Sequence, residues 1–158
     1  MVRYGNLDDL EDIMEMLELC KLEMKNRNLT FWNDLYPTKQ IIKDDLLGGV
    51  SIVFELNNKV VAFLSMYPKK PSRFEECYHD HSNYCYVQRV MVHPAFRRHG
   101  YAQQILKFVE TLGYSSIRLL TRNTNIYSVN LYKKLGYKVV REEIKDNVIM
   151  QNCEKMIS

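Results

Sequence analysis

The chain has 158 residues, 46% of them hydrophobic and 26% charged, with a formal net charge of +3. That length buries an ordinary core, so one domain over residues 1–158 is expected, and the composition is that of a globular protein. The small charge speaks against a dedicated nucleic-acid binder. The apolar runs are too short to span a membrane, and Met1-Val2-Arg3-Tyr4-Gly5 lacks the layout of a signal peptide, which makes a cytoplasmic location the expectation.

In chain order, residues 2–4 read as a short strand. Asn6, with Asp9 three residues on, reads as a helix cap. Leu10, Ile13, Met14, Leu17, Cys20 and Met24 recur at helical spacing, which predicts a helix over 7–26. Phe31 to Pro37 is an aromatic loop. Thr38 caps a second helix running to about Leu47, ended by Gly48-Gly49. Residues 50–56 and 60–66 around Asn57-Asn58 predict a hairpin, broken after Met66 by Pro68 and Pro71. Residues 84–92 read as a strand and 100–112 as a helix stopped by Gly113. A strand over 117–121 precedes a helix over 126–135 closed by Gly136. Strands over 137–141 and 148–156 complete the chain. Strands of mixed direction flanked by four helices describe an α/β or α+β fold, one sheet with helices on both faces.

Charge is uneven. Residues 1–30 hold seven acidic and four basic residues, leaving the remainder at about +6. An acidic first helix suits a cationic substrate, and equally a solvated helix face. The four cysteines (Cys20, Cys77, Cys85, Cys153) show no C-x-x-C pair and are expected to be reduced thiols. Cys77, His79, His81 and Cys85 lie within nine residues, but their spacing matches no zinc module, so no metal is expected.

The stretch Val90-Met91-Val92-His93-Pro94-Ala95-Phe96-Arg97-Arg98-His99-Gly100-Tyr101-Ala102 joins an apolar strand to an amphipathic helix through a basic loop with a glycine. A helix N-terminus presents unpaired N–H groups and the positive end of its dipole, which makes an anion cradle. Neither the dinucleotide pattern G-x-G-x-x-G nor a P-loop G-K-[ST] is present. Taken alone, the loop reads equally well as an ordinary strand-to-helix turn.

Val92-His93-Pro94 followed by Arg97-Arg98-His99-Gly100-Tyr101-Ala102 resembles the V-x-P…R/Q-x-x-G-x-G/A signature of the GCN5-related N-acetyltransferase (GNAT) family. Asn125-Ile126-Tyr127-Ser128 and Leu131-Tyr132-Lys133-Lys134-Leu135-Gly136-Tyr137 resemble its second block, N-x-x-A…L-Y-x-K-x-G-F. The resemblance is dense over about 50 residues and extends more loosely to Trp32…Tyr36-Pro37 and the N-terminal helices.

The resemblance implies a mixed, mostly antiparallel sheet of six to seven strands with strands 4 and 5 splayed. It implies acetyl-coenzyme A as co-substrate and an amine of a small molecule or peptide as acceptor. Backbone N–H groups of Arg97, Arg98, His99, Gly100, Tyr101 and Ala102 would hold the diphosphate, and Val90, Met91 and Val92 would pair with the pantetheine arm, one of their N–H groups polarising the thioester carbonyl. Asn125, Ser128 and Tyr132 complete the cofactor-binding set, with Asn125 at the pantetheine end and Tyr132 as the acid for the leaving thiolate. A homodimer is among the implied states.

One departure stands out. Many family members carry a Glu on the fourth strand as general base, and this chain has Gln88-Arg89 there. A lysine-like amine is neutral only about once in 2,500 molecules at pH 7, so its proton needs a destination. His79, Asp80, His81 and Glu55 are candidates, as is a water relay. Phe31, Trp32, Tyr36, Tyr67, Tyr84 and Tyr86 are candidates for an acceptor cleft, or else anchors of core and loop. The missing Glu leaves a non-catalytic acyl-coenzyme-A-binding regulatory module as the alternative function.

Overall fold

The structure is a computed structural model that describes residues 1–158. Seven strands form one mixed sheet in the order β1-β2-β3-β4-β5-β7-β6. They are β1 (Val2–Tyr4), β2 (Ser51–Leu56), β3 (Lys59–Pro68), β4 (Tyr84–Val92), β5 (Ser116–Arg122), β6 (Lys138–Lys145) and β7 (Val148–Met156). The helices are α1 (Leu10–Asn26), α2 (Lys39–Leu47), α3 (Tyr101–Glu110) and α4 (Ile126–Lys134). The chain divides into two compact units, residues 1–66 with 89–108 and residues 67–88 with 109–158.

In the first unit, β1 pairs antiparallel with β2, and β2 antiparallel with β3. The cap expected at Asn6 forms in full. Its side chain accepts from the Asp8 amide at 2.9 Å, and the Asp9 carboxylate accepts from the Asn6 amide at 2.9 Å. The first turn, Leu7–Asp9, is 3-10, so the α-helix proper starts at Leu10. Ile13, Met16, Leu17 and Cys20 then bury one face of α1 against Ile42 and Leu46 of α2, Val53, Val60 and Phe63 of the hairpin, and Met91. Thr38 caps α2, accepting from the Ile41 amide at 3.2 Å. Asn57 and Asn58 both take positive φ (50° and 65°), the conformation a two-residue primed hairpin turn demands. β3 runs on through Pro68, two residues past the expected break, because a proline is tolerated at a strand's last residue.

In the second unit, β4 runs parallel to β5 from Tyr84↔Ser116 to Val87↔Leu119. The pairing stops there, although β5 continues to Arg122 along β7. Two residues later the β4 backbone turns left-handed at Arg89 (φ 55°). β7 pairs antiparallel with β5 on one side and β6 on the other. The strand expected to end at Arg141 instead runs to Lys145. Asp146 and Asn147, both at positive φ (51° and 65°), form a second primed hairpin turn, a signal comparable to Asn57-Asn58. α3 ends at Glu110, two residues short of the expected stop, and Gly113 (φ 93°) takes the chain onward.

The second unit is organised around Arg118, a fully buried guanidinium on β5. It donates to both Glu75 carboxylate oxygens at 2.8 and 2.6 Å and to the Asp80 carbonyl at 2.8 Å. Its guanidinium carbon lies 4.0 Å from the Tyr78 ring centroid and 3.5 Å from that of Tyr84. Glu154 of β7, also buried, accepts from the His79 and Asp80 amides at 3.0 and 3.1 Å. No group of three or more His, Cys, Asp or Glu side chains is placed to hold a metal ion. No helix is long and apolar enough to cross a membrane.

Candidate functional site

The basic loop lies in the first unit, between the end of β4 and α3. Met91 is buried in the core, while Val90 and Val92 are only partly covered, as alternation along a strand requires. The Val92 carbonyl accepts from the Cys20 thiol at 3.3 Å, and the His93 amide donates to the Val61 carbonyl at 2.8 Å, which fixes where the strand ends. His93 Nδ1 then accepts from the Ala95 amide at 3.1 Å and caps the short turn Pro94–Phe96.

Beyond that turn, Arg98 (φ 68°) and Gly100 (φ 78°) are both left-handed, a compact bend of the kind that gathers successive amides around an anion. A Cβ built on Gly100 meets nothing within 4 Å, so backbone conformation demands the glycine and the space beside it is open. The Gln104 amide donates to the Gly100 carbonyl at 3.0 Å as the helix begins its own ladder. The amides of Tyr101, Ala102 and Gln103 therefore precede the first intrahelical donor, Gln104, and form the donor end of α3. Ile105, Leu106 and Val109 bury the other face of the helix, and Tyr101 packs on Phe54 with ring centroids 4.3 Å apart.

The three basic side chains of the loop differ in role. Arg97 is tied to α1. Its Nη1 lies 2.7 Å from Glu23 of α1, whose carboxylate also holds Arg27 at 2.6 Å. Burial works against the Glu23 charge, but the bonds from Arg97 and Arg27 outweigh it and hold its pKa below the usual range. Arg98 and His99 are exposed.

The position where the family pattern has a carboxylate base holds instead a buried ion pair. Arg89 donates from Nε and Nη2 to the Asp45 Oδ2 at 3.1 and 2.7 Å, and from Nη1 to the Tyr36 phenol oxygen at 2.9 Å. The Arg89 and Asp45 side chains are 6% and 5% exposed. The four alternative bases are all engaged. Glu55 accepts from Arg3 at 2.8 Å, His79 faces Glu154 at 2.7 Å, and His81 faces Glu75 at 3.1 Å. Asp80 accepts from the Ser82 amide at 3.0 Å and the Ser116 hydroxyl at 2.9 Å.

The second block lies in the second unit. Asn125 opens α4, its carbonyl accepting from the Val129 amide at 3.0 Å, while its side chain makes no cap bond. Tyr132 is buried, and its phenol bonds the Ser128 side chain one turn back. Burial, with Cys153 nearby, pushes the Tyr132 pKa well above that of an ordinary phenol. Burial likewise pushes the Cys85 thiol up to about 12, which keeps it protonated and unsuited to nucleophilic attack. Of the aromatic candidates, Trp32 packs against the core of the first unit and Tyr84 carries Arg118 on its face. Both are anchors. Tyr36 is 37% exposed as a residue.

A family model described as the acetyltransferase (GNAT) family matches residues 10–137, a span that runs through both units. No curated protein matches the chain. Among solved structures, a GNAT-family acetyltransferase from Streptococcus agalactiae is similar with a TM-score of 0.87 at 22% identity, covering 99% of this chain and 94% of that one. A PaiA N-acetyltransferase from Thermoplasma acidophilum, in complex with coenzyme A, has a TM-score of 0.72 at 15% identity over 99% of this chain and 98% of that one. YncA from Salmonella typhimurium, with its cofactor acetyl-CoA, has a TM-score of 0.71 at 18% identity over 100% of this chain and 94% of that one. At these identities the likeness shows the fold, including the parallel β4–β5 pair.

Proposed function

Because this chain belongs to the GNAT family of acetyltransferases, we propose that it moves an acetyl group from acetyl-coenzyme A to a primary amine of a small molecule or peptide, as a single catalytic domain over residues 1–158 working in the cytoplasm. The observation that carries the reading is the bend at Arg98 and Gly100, with open space beside Gly100 and the unpaired amides of α3 behind it. That cradle suits a diphosphate. The coenzyme A in the PaiA structure and the acetyl-CoA in the YncA structure support the choice of ligand.

Bound there, the thioester supplies an activated acyl group, and the residues of this chain do the rest. Backbone amides from Arg97 through Ala102 hold the diphosphate, and exposed Arg98 adds charge there, while Arg97 is tied to Glu23. Val90, Met91 and Val92 offer backbone groups to the pantetheine arm, and one of their amides draws charge onto the thioester oxygen. Asn125, whose side chain is not spent on its helix, and Ser128 serve the pantetheine end.

The amine nitrogen attacks directly: a C–N bond forms as the C–S bond breaks. The amine's proton leaves to water, and the thiolate takes its proton from Tyr132, which regains one from solvent. Burial keeps the Tyr132 phenol protonated and also makes it a weaker acid than a free phenol, so its donation depends on the basicity of the departing thiolate. Cys85 stays a thiol, which disfavours a covalent relay.

The engagement of Glu55, His79, Asp80 and His81 in local bonds favours a second reading, a module that binds acyl-coenzyme A without transferring it. Incubating the protein with acetyl-coenzyme A and a panel of amines while following free thiol separates the two. Thiol release that depends on the amine supports transfer. Coenzyme A binding without release supports the regulatory module.

A further inference from the structure

The Tyr36–Arg89–Asp45 cluster has a cost that core packing does not explain. It buries a charge pair, and it holds a non-glycine residue at φ 55° in mid-strand. Each is unfavourable by itself, and strained backbone of this kind gathers at working sites. The hydrogen bonding shows what the arrangement achieves. Asp45 Oδ2 accepts from Arg89 Nε and Nη2 and from the Ser65 hydroxyl at 2.6 Å, which neutralises and orients the guanidinium. Arg89 Nη1, a donor only, is then aimed at the Tyr36 phenol oxygen at 2.9 Å. With its oxygen occupied as an acceptor, the phenol has its own proton to donate. The backbone of Tyr36 is equally fixed, since its amide and carbonyl both bond Asn33, at 3.2 and 2.8 Å. The result is a partly exposed tyrosine whose hydroxyl oxygen is anchored by the cation behind it and whose own proton is left to donate.

We infer that Tyr36 contacts the acceptor substrate, donating a hydrogen bond to an oxygen that lies next to the reacting amine, so that the acceptor is an amine bearing a carboxylate or carbonyl group. The inference rests on the acetyltransferase reading above and narrows its substrate class. Because Asp45 balances Arg89, the cluster offers a donor without net charge, and a carbonyl is recognised as well as a carboxylate. Arg89 and Asp45 are positioning residues, and Tyr36 is the group that touches substrate.

The test uses two matched sets of amines with the full chain: L-leucine, L-leucinamide and 3-methylbutylamine, and L-tyrosine, L-tyrosinamide and tyramine. kcat and KM are measured for wild type and Tyr36→Phe, with coenzyme A affinity and Tm alongside. The ratio of kcat/KM between the oxygen-bearing member and the bare amine is expected to fall about tenfold in Tyr36→Phe, the loss of one hydrogen bond, mostly through KM. Coenzyme A affinity is expected to be unchanged. Comparing ratios removes the differing basicity of the amines and any uniform loss from altered packing. A preference for the acid or for the amide each supports the inference. A ratio untouched by Tyr36→Phe overturns it, whereas binding of coenzyme A with acetylation of none of the six amines supports the regulatory module and removes the acetyltransferase reading along with the inference. Failure of wild type to bind coenzyme A strikes the underlying reading instead and removes both.

Discussion

Gly100→Ala separates the two demands that meet at the head of α3. The backbone there is left-handed (φ 78°), a conformation that costs an L-residue about 1–2 kcal/mol, while a Cβ would meet no protein atom within 4 Å. Packing is therefore untouched, and at 2–4 °C per kcal/mol for a chain of this size Tm should fall by roughly 2–8 °C. Gly113 supplies a matched control: its φ is 93°, a Cβ there also meets nothing within 4 Å, and it follows the far end of the same helix. Gly113→Ala carries the same backbone strain with no place in the cradle. In Gly100→Ala the new methyl enters the open space beside the loop, where the proposed function seats the diphosphate. Losing one charge-assisted bond of about 1.5–3 kcal/mol weakens binding tenfold or more. Calorimetric titration of coenzyme A into wild type and both variants, with thermal melts, reads the two quantities separately. Wild-type affinity in Gly100→Ala, or equal losses in both variants, would refute the placement of the cradle.

Tyr132→Phe should lower turnover by about 10²–10⁴ with coenzyme A affinity kept, and turnover equal to wild type across pH removes the acid role. Arg98→Glu should weaken coenzyme A binding and reduce its dependence on salt, whereas Arg97→Gln should act chiefly on Tm, because Arg97 is bonded to Glu23 of α1; titrations at two ionic strengths distinguish them. Burial, with Lys59 nearby, lowers the His93 pKa from its ordinary 6.5, so folding favours the neutral ring that caps the Pro94 turn. Stability from this group is present above about 6.5 and declines as pH falls through the folded pKa, a loss that denaturant titrations of His93→Asn against wild type should show flattened. The Arg118 guanidinium holds Glu75 down at about 2 from 4.5, so its contribution is present above 4.5 and lost as pH falls toward 2. Glu75→Ala, which leaves a buried guanidinium without its carboxylate, should cost about 3 kcal/mol at neutral pH in chemical unfolding.

Local rules made much of the molecule legible. Asn6 with Asp9, Thr38, Asn57-Asn58, Gly113 and Gly136 each act within a few residues of themselves, and each does in the structure what its chemistry requires. The strand-to-helix bend was visible for the same reason. Long-range pairing was not. Arg118 meets Glu75 across 43 residues and Arg89 meets Asp45 across 44, and nothing in either neighbourhood marks the partner. The aromatic and acidic residues that suggested an acceptor site were ambiguous because one composition serves a cleft and a buried clamp equally. Tyr84 turned out to clamp Arg118, whereas Tyr36 carries a polarised hydroxyl. The Asp146-Asn147 turn could have been read, since two turn-forming residues between apolar-alternating stretches carry the same information as Asn57-Asn58.

β7 is the last strand in the sequence yet lies inside the sheet, with β5 on one flank and β6 on the other. During synthesis β5 emerges first and waits for a neighbour that has not been translated, since 25 residues separate Arg122 from Val148. α4 and β6 emerge in that interval, and β7, once made, pairs with β6 through the Asp146-Asn147 turn and with β5 on its other side. Changes that slow the Asp146-Asn147 turn should therefore lengthen the time a bare β5 edge is open to misassembly on the ribosome, even where the finished protein tolerates them.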